Sequence, residues 1–110
     1  MAFKEYDYYF TEIAEHDIDE TIFYICDRLC NPEAASTFID TLETELAEVC
    51  KNPKKGGLVE NEFVKLDEVR HFLVKNYIAY YTVDEDNARI VILRVVYSGR
   101  DQNKILMELT

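Results

Sequence analysis

From Val69 to Asp101 the chain runs apolar or alternates over three strand-length stretches rich in Val, Ile and Tyr, broken by polar residues at Lys75-Asn76 and again from Asp84 to Asn87. This punctuation predicts three strands joined by two tight turns, an antiparallel meander. A further strand is predicted near the start. In Phe3 to Phe10, Tyr6, Tyr8 and Phe10 fall on one side and Glu5, Asp7 and Tyr9 on the other, the period-two pattern of a half-buried strand at or next to a sheet edge.

Between these strands the period changes. Thr11 is placed to cap a helix with Glu12 in its first turn, and Ile18, Ile22, Ile25 and Leu29 recur as one apolar stripe. That helix ends near Cys30. Asn31-Pro32 supplies a capping side chain followed by a proline at the first helical position, and Ala35, Phe38, Leu42, Leu46 and Val49 form the stripe of a second helix. So short a connection makes the two helices antiparallel, a hairpin that covers one face of the sheet and leaves the other face or an edge for function. Asn52 to Gly57 stops the second helix and opens an irregular stretch from 52 to about 67, whose Lys54, Lys55, Gly56 and Gly57 make either a contact surface or a solvated connector. Asp101 is placed to cap a short final helix with Ile105, Leu106 and Leu109 facing the core. The predicted class is α+β, one domain over 1–110: a helical hairpin on an antiparallel sheet of about four strands, with a short C-terminal helix.

Composition narrows what such a domain does. The 110 residues have a net charge of -10, distributed unevenly: residues 1–50 hold 13 Asp+Glu against Lys4 and Arg28, whereas residues 51–110 hold ten Lys+Arg against nine. An acidic first half repels phosphate backbones, so any nucleic-acid contact falls to the second half. Asp17, Asp19 and Glu20, like Glu43, Glu45 and Glu48, read as solvated helix surface. No apolar run is long enough to span a membrane and no export signal opens the sequence, which implies a cytoplasmic protein. Three cysteines fit reduced packing thiols rather than a disulfide framework. Cys26 and Cys30 stand four apart on the first helix but lack the further ligands a metal needs, so no metal or cofactor is implied.

The blocks TEIAEHDIDETIFYI, LCNPEAASTFIDTLETEL, NPKKG, VRHFLVKNYIAYYTVDE and ILRVVYSGRD, in that order, resemble the RelE/ParE superfamily of bacterial toxins from type II toxin-antitoxin systems. The resemblance spans nearly the whole chain. It implies a cytoplasmic, growth-inhibiting protein held inactive by a cognate antitoxin, with DNA gyrase or ribosome-bound mRNA as target, and leaves the oligomeric state open.

The two targets require different residues. Members that cleave mRNA without a metal use arginines and lysines to stabilise phosphate charge and a tyrosine, histidine or glutamate to move the proton of the 2′-hydroxyl. By resemblance, Arg100 in the SGRD turn stands where the family has an arginine near the scissile phosphate. Ile78 and Leu106 stand where that branch carries a second arginine and a tyrosine. The sequence offers a substitute set, Arg70, Arg94 and Arg100 for phosphate charge with Tyr97 for proton transfer. Arg70 and Arg94 are equally suited to pairing with a carboxylate such as Asp84 or Asp101. His71 lies on the opposite strand face from Arg70, so the two cannot share a pocket. The first expectation is therefore a toxin that acts by binding a macromolecule, possibly gyrase. Its alternatives are a metal-independent endoribonuclease and a family member without toxicity.

Overall fold

A computed structural model describes residues 5–64, 66 and 68–109. In chain order these form β1 (Asp7–Phe10), α1 (Glu12–Phe23) continuing into a π-helical turn (Tyr24–Arg28), α2 (Pro32–Lys51), β2 (Gly57–Leu58), β3 (Arg70–Val74), β4 (Tyr77–Asp84), β5 (Arg89–Tyr97) and α3 (Gln102–Met107). The strands make one sheet in the order β1-β5-β4-β3-β2, antiparallel throughout except that β1 runs parallel to β5. The α+β class, the meander and both of its turns are as the sequence predicts.

Local signals set the boundaries. The Thr11, Asn31 and Asp101 side chains accept from the backbone N–H groups of Ala34 for Asn31, Ala14 for Thr11 and Lys104 for Asp101, each satisfying a donor that the helix start would otherwise leave free. On α2 the predicted stripe is buried in full, and Phe38, Leu42, Leu46 and Val49 each contribute roughly 1.5–3 kcal/mol by leaving water. Tyr6, Phe10, Ile18 and Ile22 pack around that core.

Several expectations need correction. To the expected sheet of about four strands the structure adds a short fifth, because Gly57 and Leu58 inside the stretch read as irregular pair with His71 and Arg70. The first strand begins at Asp7, and the start of the predicted Phe3–Phe10 strand lies outside the described residues. The second sheet face is not left open. Val59, Phe63, Val64 and Leu66 fold back on it with Ile105, Leu106 and Leu109 to make a second core around Tyr80 and Val96, fastened by an Asn61 to Asn103 side-chain bond of 3.1 Å. Ile78 and Leu106 belong to this core, so their apolar character is packing. Leu29 is 54% exposed, and Cys26 and Cys30 are exposed thiols, because the π-helical turn rotates the end of α1 off its stripe; only Cys50 is buried.

The buried line of α1 is Ala14, Asp17 and Thr21. Asp17 is thus not surface charge. β5 has nine residues and β1 only four, so β1 covers β5 from Arg89 to Ile92 and then stops. At that point Leu93 bulges out of register with β4. Two side chains from α1 and its cap complete the edge: the Thr11 hydroxyl donates to Leu93 O at 3.1 Å, and the Asp17 carboxylate accepts Val95 N–H at 3.1 Å. The same carboxylate accepts Arg94 Nε at 2.7 Å and Nη2 at 3.0 Å, and Arg94 Nη1 reaches Glu108 at 3.5 Å. Hydrogen bonding to Asp17, opposed by burial, raises the Arg94 pKa. Asp17 and Glu108, rather than Asp84 or Asp101, are therefore the partners of Arg94.

With Asp17 7% and Arg94 12% exposed, removing one member strands the other. Arg94→Ala is expected to cost about 3–5 kcal/mol in urea unfolding. Asp17→Asn, which keeps an acceptor for Val95 N–H, should cost less than Asp17→Leu.

Candidate functional site

At one end of the sheet lies a groove of about 970 Å³ between the helical hairpin and the last residues of the meander. Its floor follows from register. Tyr77 opens β4 and Tyr97 closes β5, and the two are paired across the ladder with ring centroids 5.8 Å apart, edge to face. Tyr77 also meets Phe38 of α2 at 5.2 Å. Tyr24 from the π-helical turn lines the facing wall.

Two turns carry the cations of the rim. Lys75 sits at the first corner of the two-residue β3–β4 turn with φ of 55°, and Arg100 follows β5. Ser98 N–H donates to Asn76 O at 2.8 Å and ties one turn to the other. Gln102, at the start of α3, fixes the second turn: its amide nitrogen donates to the carbonyls of Tyr97, Ser98 and Arg100 at 3.1, 3.4 and 3.0 Å, while its amide oxygen accepts the Tyr80 hydroxyl at 2.7 Å. A Cβ on Gly99 would overlap the Tyr97 ring, so glycine there lets that ring lie back over the turn. Glu20 and Glu33 line the same groove, so it is cationic at one end and acidic along the helices.

Of the four residues singled out from the sequence, Tyr97 and Arg100 come together in this groove. The other two do not join them. Arg94 is held by Asp17 and Glu108, and Arg70 donates through Nη1 to the carbonyls of Gly56 at 2.8 Å and Lys54 at 3.3 Å. Arg70 works there alongside Tyr81, whose hydroxyl donates to Pro53 O at 2.8 Å and accepts Gly56 N–H at 3.0 Å. The Asn52–Gly57 turn is closed by these bonds, and a Cβ on Gly56 would come within 2.6 Å of His71 O. A ring nitrogen of His71 faces Gly57 O at 3.0 Å. Arg70, His71 and Tyr81 therefore serve the lysine-bearing turn. Tyr24, Tyr77, Lys75 and Gln102 were not singled out by sequence reasoning. The only hint was the density of tyrosine in NYIAYY and VVYSGR.

Comparison with known proteins gives this geometry a family. The model of the ParE toxin of type II toxin-antitoxin systems, parDE, matches residues 8–102. The chain belongs to the ParE toxin family. No curated protein matches the sequence. Among solved structures, this ParE-family chain is similar to a chromosomal ParDE toxin-antitoxin system from P. aeruginosa, with TM-score 0.65 and 19% identity over 84% of this chain and 96% of that one. It is also similar to a RelBE toxin-antitoxin complex from Mycobacterium tuberculosis, with TM-score 0.61 and 18% identity over 87% and 94%. An archaeal RelE–RelB complex from Pyrococcus horikoshii aligns with TM-score 0.54 and 15% identity over 89% and 100%. At these identities the shared property is the fold.

Burial raises the pKa of Tyr77, Tyr80 and Tyr81; the Thr21 hydroxyl partly offsets it for Tyr77, and the Gly56 N–H for Tyr81. A raised folded-state pKa favours the protonated fold, so this stability is fully present below about pH 10 and is lost as pH rises through the shifted values. Phenolate absorbance titration should show some of the eight tyrosines ionising late, together with unfolding. Tyr81→Phe, which strands Gly56 N–H and Pro53 O, is expected to cost about 1–3 kcal/mol in denaturant and to speed proteolysis at Lys54 and Lys55.

Proposed function

We propose that this ParE-family chain is the toxin of a type II toxin-antitoxin system, neutralised in the cytoplasm by a cognate antitoxin and acting by binding a macromolecular target, DNA gyrase. Family membership over residues 8–102 supports the toxin assignment. That the similar solved structures are toxin-antitoxin complexes supports the antitoxin partner.

The observation favouring binding over RNA cleavage is the allotment of the arginines. Metal-independent phosphodiester cleavage needs several cations around one phosphate. Here Arg70 is spent on backbone carbonyls and Arg94 on carboxylates, and Leu106 and Ile78 are core residues. Arg100 is left with Tyr97 and Lys75 in a groove that also holds Glu20 and Glu33. Carboxylates beside the cations disfavour a polyanion, and the molecule as a whole carries a net charge of -10.

The test is controlled production of the chain alone in a bacterium, with total RNA and plasmid topology sampled as growth slows. The expected result is arrest with intact transcripts and altered supercoiling or DNA breaks. Early transcript cleavage with topology unchanged, abolished by Arg100→Ala, would replace this reading with an endoribonuclease. Unimpeded growth with soluble protein present would remove toxicity altogether.

A further inference from the structure

Helix α1 ends in a π-helical turn that carries two thiols. There Leu29 N–H donates to Tyr24 O and Asn31 N–H to Ile25 O, each at 3.1 Å, so the chain closes on itself. Cys26 follows Ile25 and Cys30 precedes Asn31, which sets the two cysteines just inside the ends of one hydrogen bond. Four residues of helical rise are about 6 Å, within the roughly 4.4–6.8 Å between Cα atoms that a disulfide spans. Cys30 has left the helix, with φ of 49°, the left-handed conformation in which many helices end on glycine. Glu68, Lys75 and Ala88 also have positive φ, so that conformation by itself marks nothing. It matters here because it turns Cys30 back toward the helix, where its Sγ donates to Asp27 O at 3.5 Å, on the residue next to Cys26.

Access separates this pair from the third cysteine. Cys26 and Cys30 are both exposed, whereas Cys50 is 5% exposed in the core, where burial, with Asp7 and Glu5 nearby, raises its pKa. Thiol-disulfide exchange needs an accessible thiolate, so reagents in solution reach the first two and not Cys50.

We propose that Cys26 and Cys30 are a modification site for low-molecular-weight disulfides, which convert the pair to an intramolecular disulfide across the π-helical turn. One cysteine thiolate attacks a sulfur of the reagent RSSR, forming a mixed disulfide and releasing RS⁻. The other thiolate then attacks the protein sulfur of that mixed disulfide, forming the bridge and releasing the second RS⁻. Two protein thiols are oxidised, one RSSR is reduced, and the two thiol protons end on the released RSH. The bridge brackets the turn that carries Tyr24, so oxidation fixes that wall of the groove in place. A bridge so exposed is readily reduced again, which suits a reversible switch in a reducing compartment rather than a permanent staple. This chemistry holds whether or not the chain arrests growth.

The test uses the full reduced chain and hydroxyethyl disulfide, a neutral reagent that the acidic first half does not repel. Expected is a product lighter by two hydrogens in which, after unfolding, Cys50 alone is alkylated. Trypsin cleaves after Arg28, between the two cysteines, so in that product the flanking fragments stay joined until a reductant is added. The Leu29 and Asn31 amides should exchange hydrogen about tenfold or more slowly in the oxidised chain. Cys26→Ser and Cys30→Gly should each stop at the mixed disulfide. Because glycine suits the left-handed corner, the urea midpoint of Cys30→Gly should equal or exceed that of the reduced chain, which separates loss of the thiol from loss of the fold. Unreacted thiols, two mixed disulfides without a bridge, a bridge to Cys50, or one between two chains would each overturn the intramolecular site. A bridge that leaves Leu29 and Asn31 exchange unchanged would overturn the restraint on the turn.

Discussion

The Asp17 carboxylate is the interaction on which the rest of the structure depends. β5 is the strand that every other layer touches, yet its neighbour β1 ends halfway along it. An unpaired strand edge at that point would leave backbone groups without partners beneath a helix, which folded proteins avoid. Asp17 resolves this by accepting Val95 N–H and Arg94 with one side chain, and the Thr11 hydroxyl donates to the bulged Leu93 carbonyl. Helix α1 is thereby fixed in rotation about its axis. Its π-helical extension then holds Tyr24 over the groove, and Arg94 carries the restraint across to Glu108 beyond α3.

The same economy governs the other polar groups of the interior. Tyr80 and Tyr81 are adjacent and face opposite cores, and each hydroxyl ends on a turn: Tyr81 on the Pro53–Gly56 backbone, Tyr80 on Gln102 and through it on the Ser98–Arg100 carbonyls. Among the described residues no buried side-chain nitrogen or oxygen lacks a partner. Arginines recruited into such networks are no longer available for chemistry. Lys75 and Arg100 stand outside these networks, on turns that the networks hold.

Much of the fold was legible because it rests on local rules. Helix caps at Thr11, Asn31 and Asp101, the α2 stripe and both meander turns depend on residues within a few positions of one another. What was misread depends on distant ones. Asp17 looks like solvated helix charge until Arg94, 77 residues away, is placed beside it. Val59, Phe63 and Leu66 have no period to reveal that they roof the second sheet face. At the site, Arg100 and Tyr97 were legible from a glycine-containing turn after a strand. The assignment of Arg70 was not, because it donates to carbonyls whose direction is set only when the Asn52–Gly57 turn closes. Gln102 was not legible either, because its side-chain amide bonds carbonyls that are brought to it only when the turn after β5 forms.

The parallel pairing of β1 with β5 joins residues 7–10 to residues 89–92, so the sheet spans almost the whole chain in sequence distance. Such long-range closure is slow to nucleate, and domains dominated by it fold in milliseconds to seconds. During synthesis at about 5–20 residues per second, the helical hairpin emerges seconds before the strand that organises it. The groove at the sheet end, whose Lys75, Tyr97 and Arg100 all come from the last-made third, can exist only after β5 has left the ribosome. Nascent chains are therefore without this groove, and a truncated product that lacks β5 loses the strand to which β1, β4 and α1 all attach.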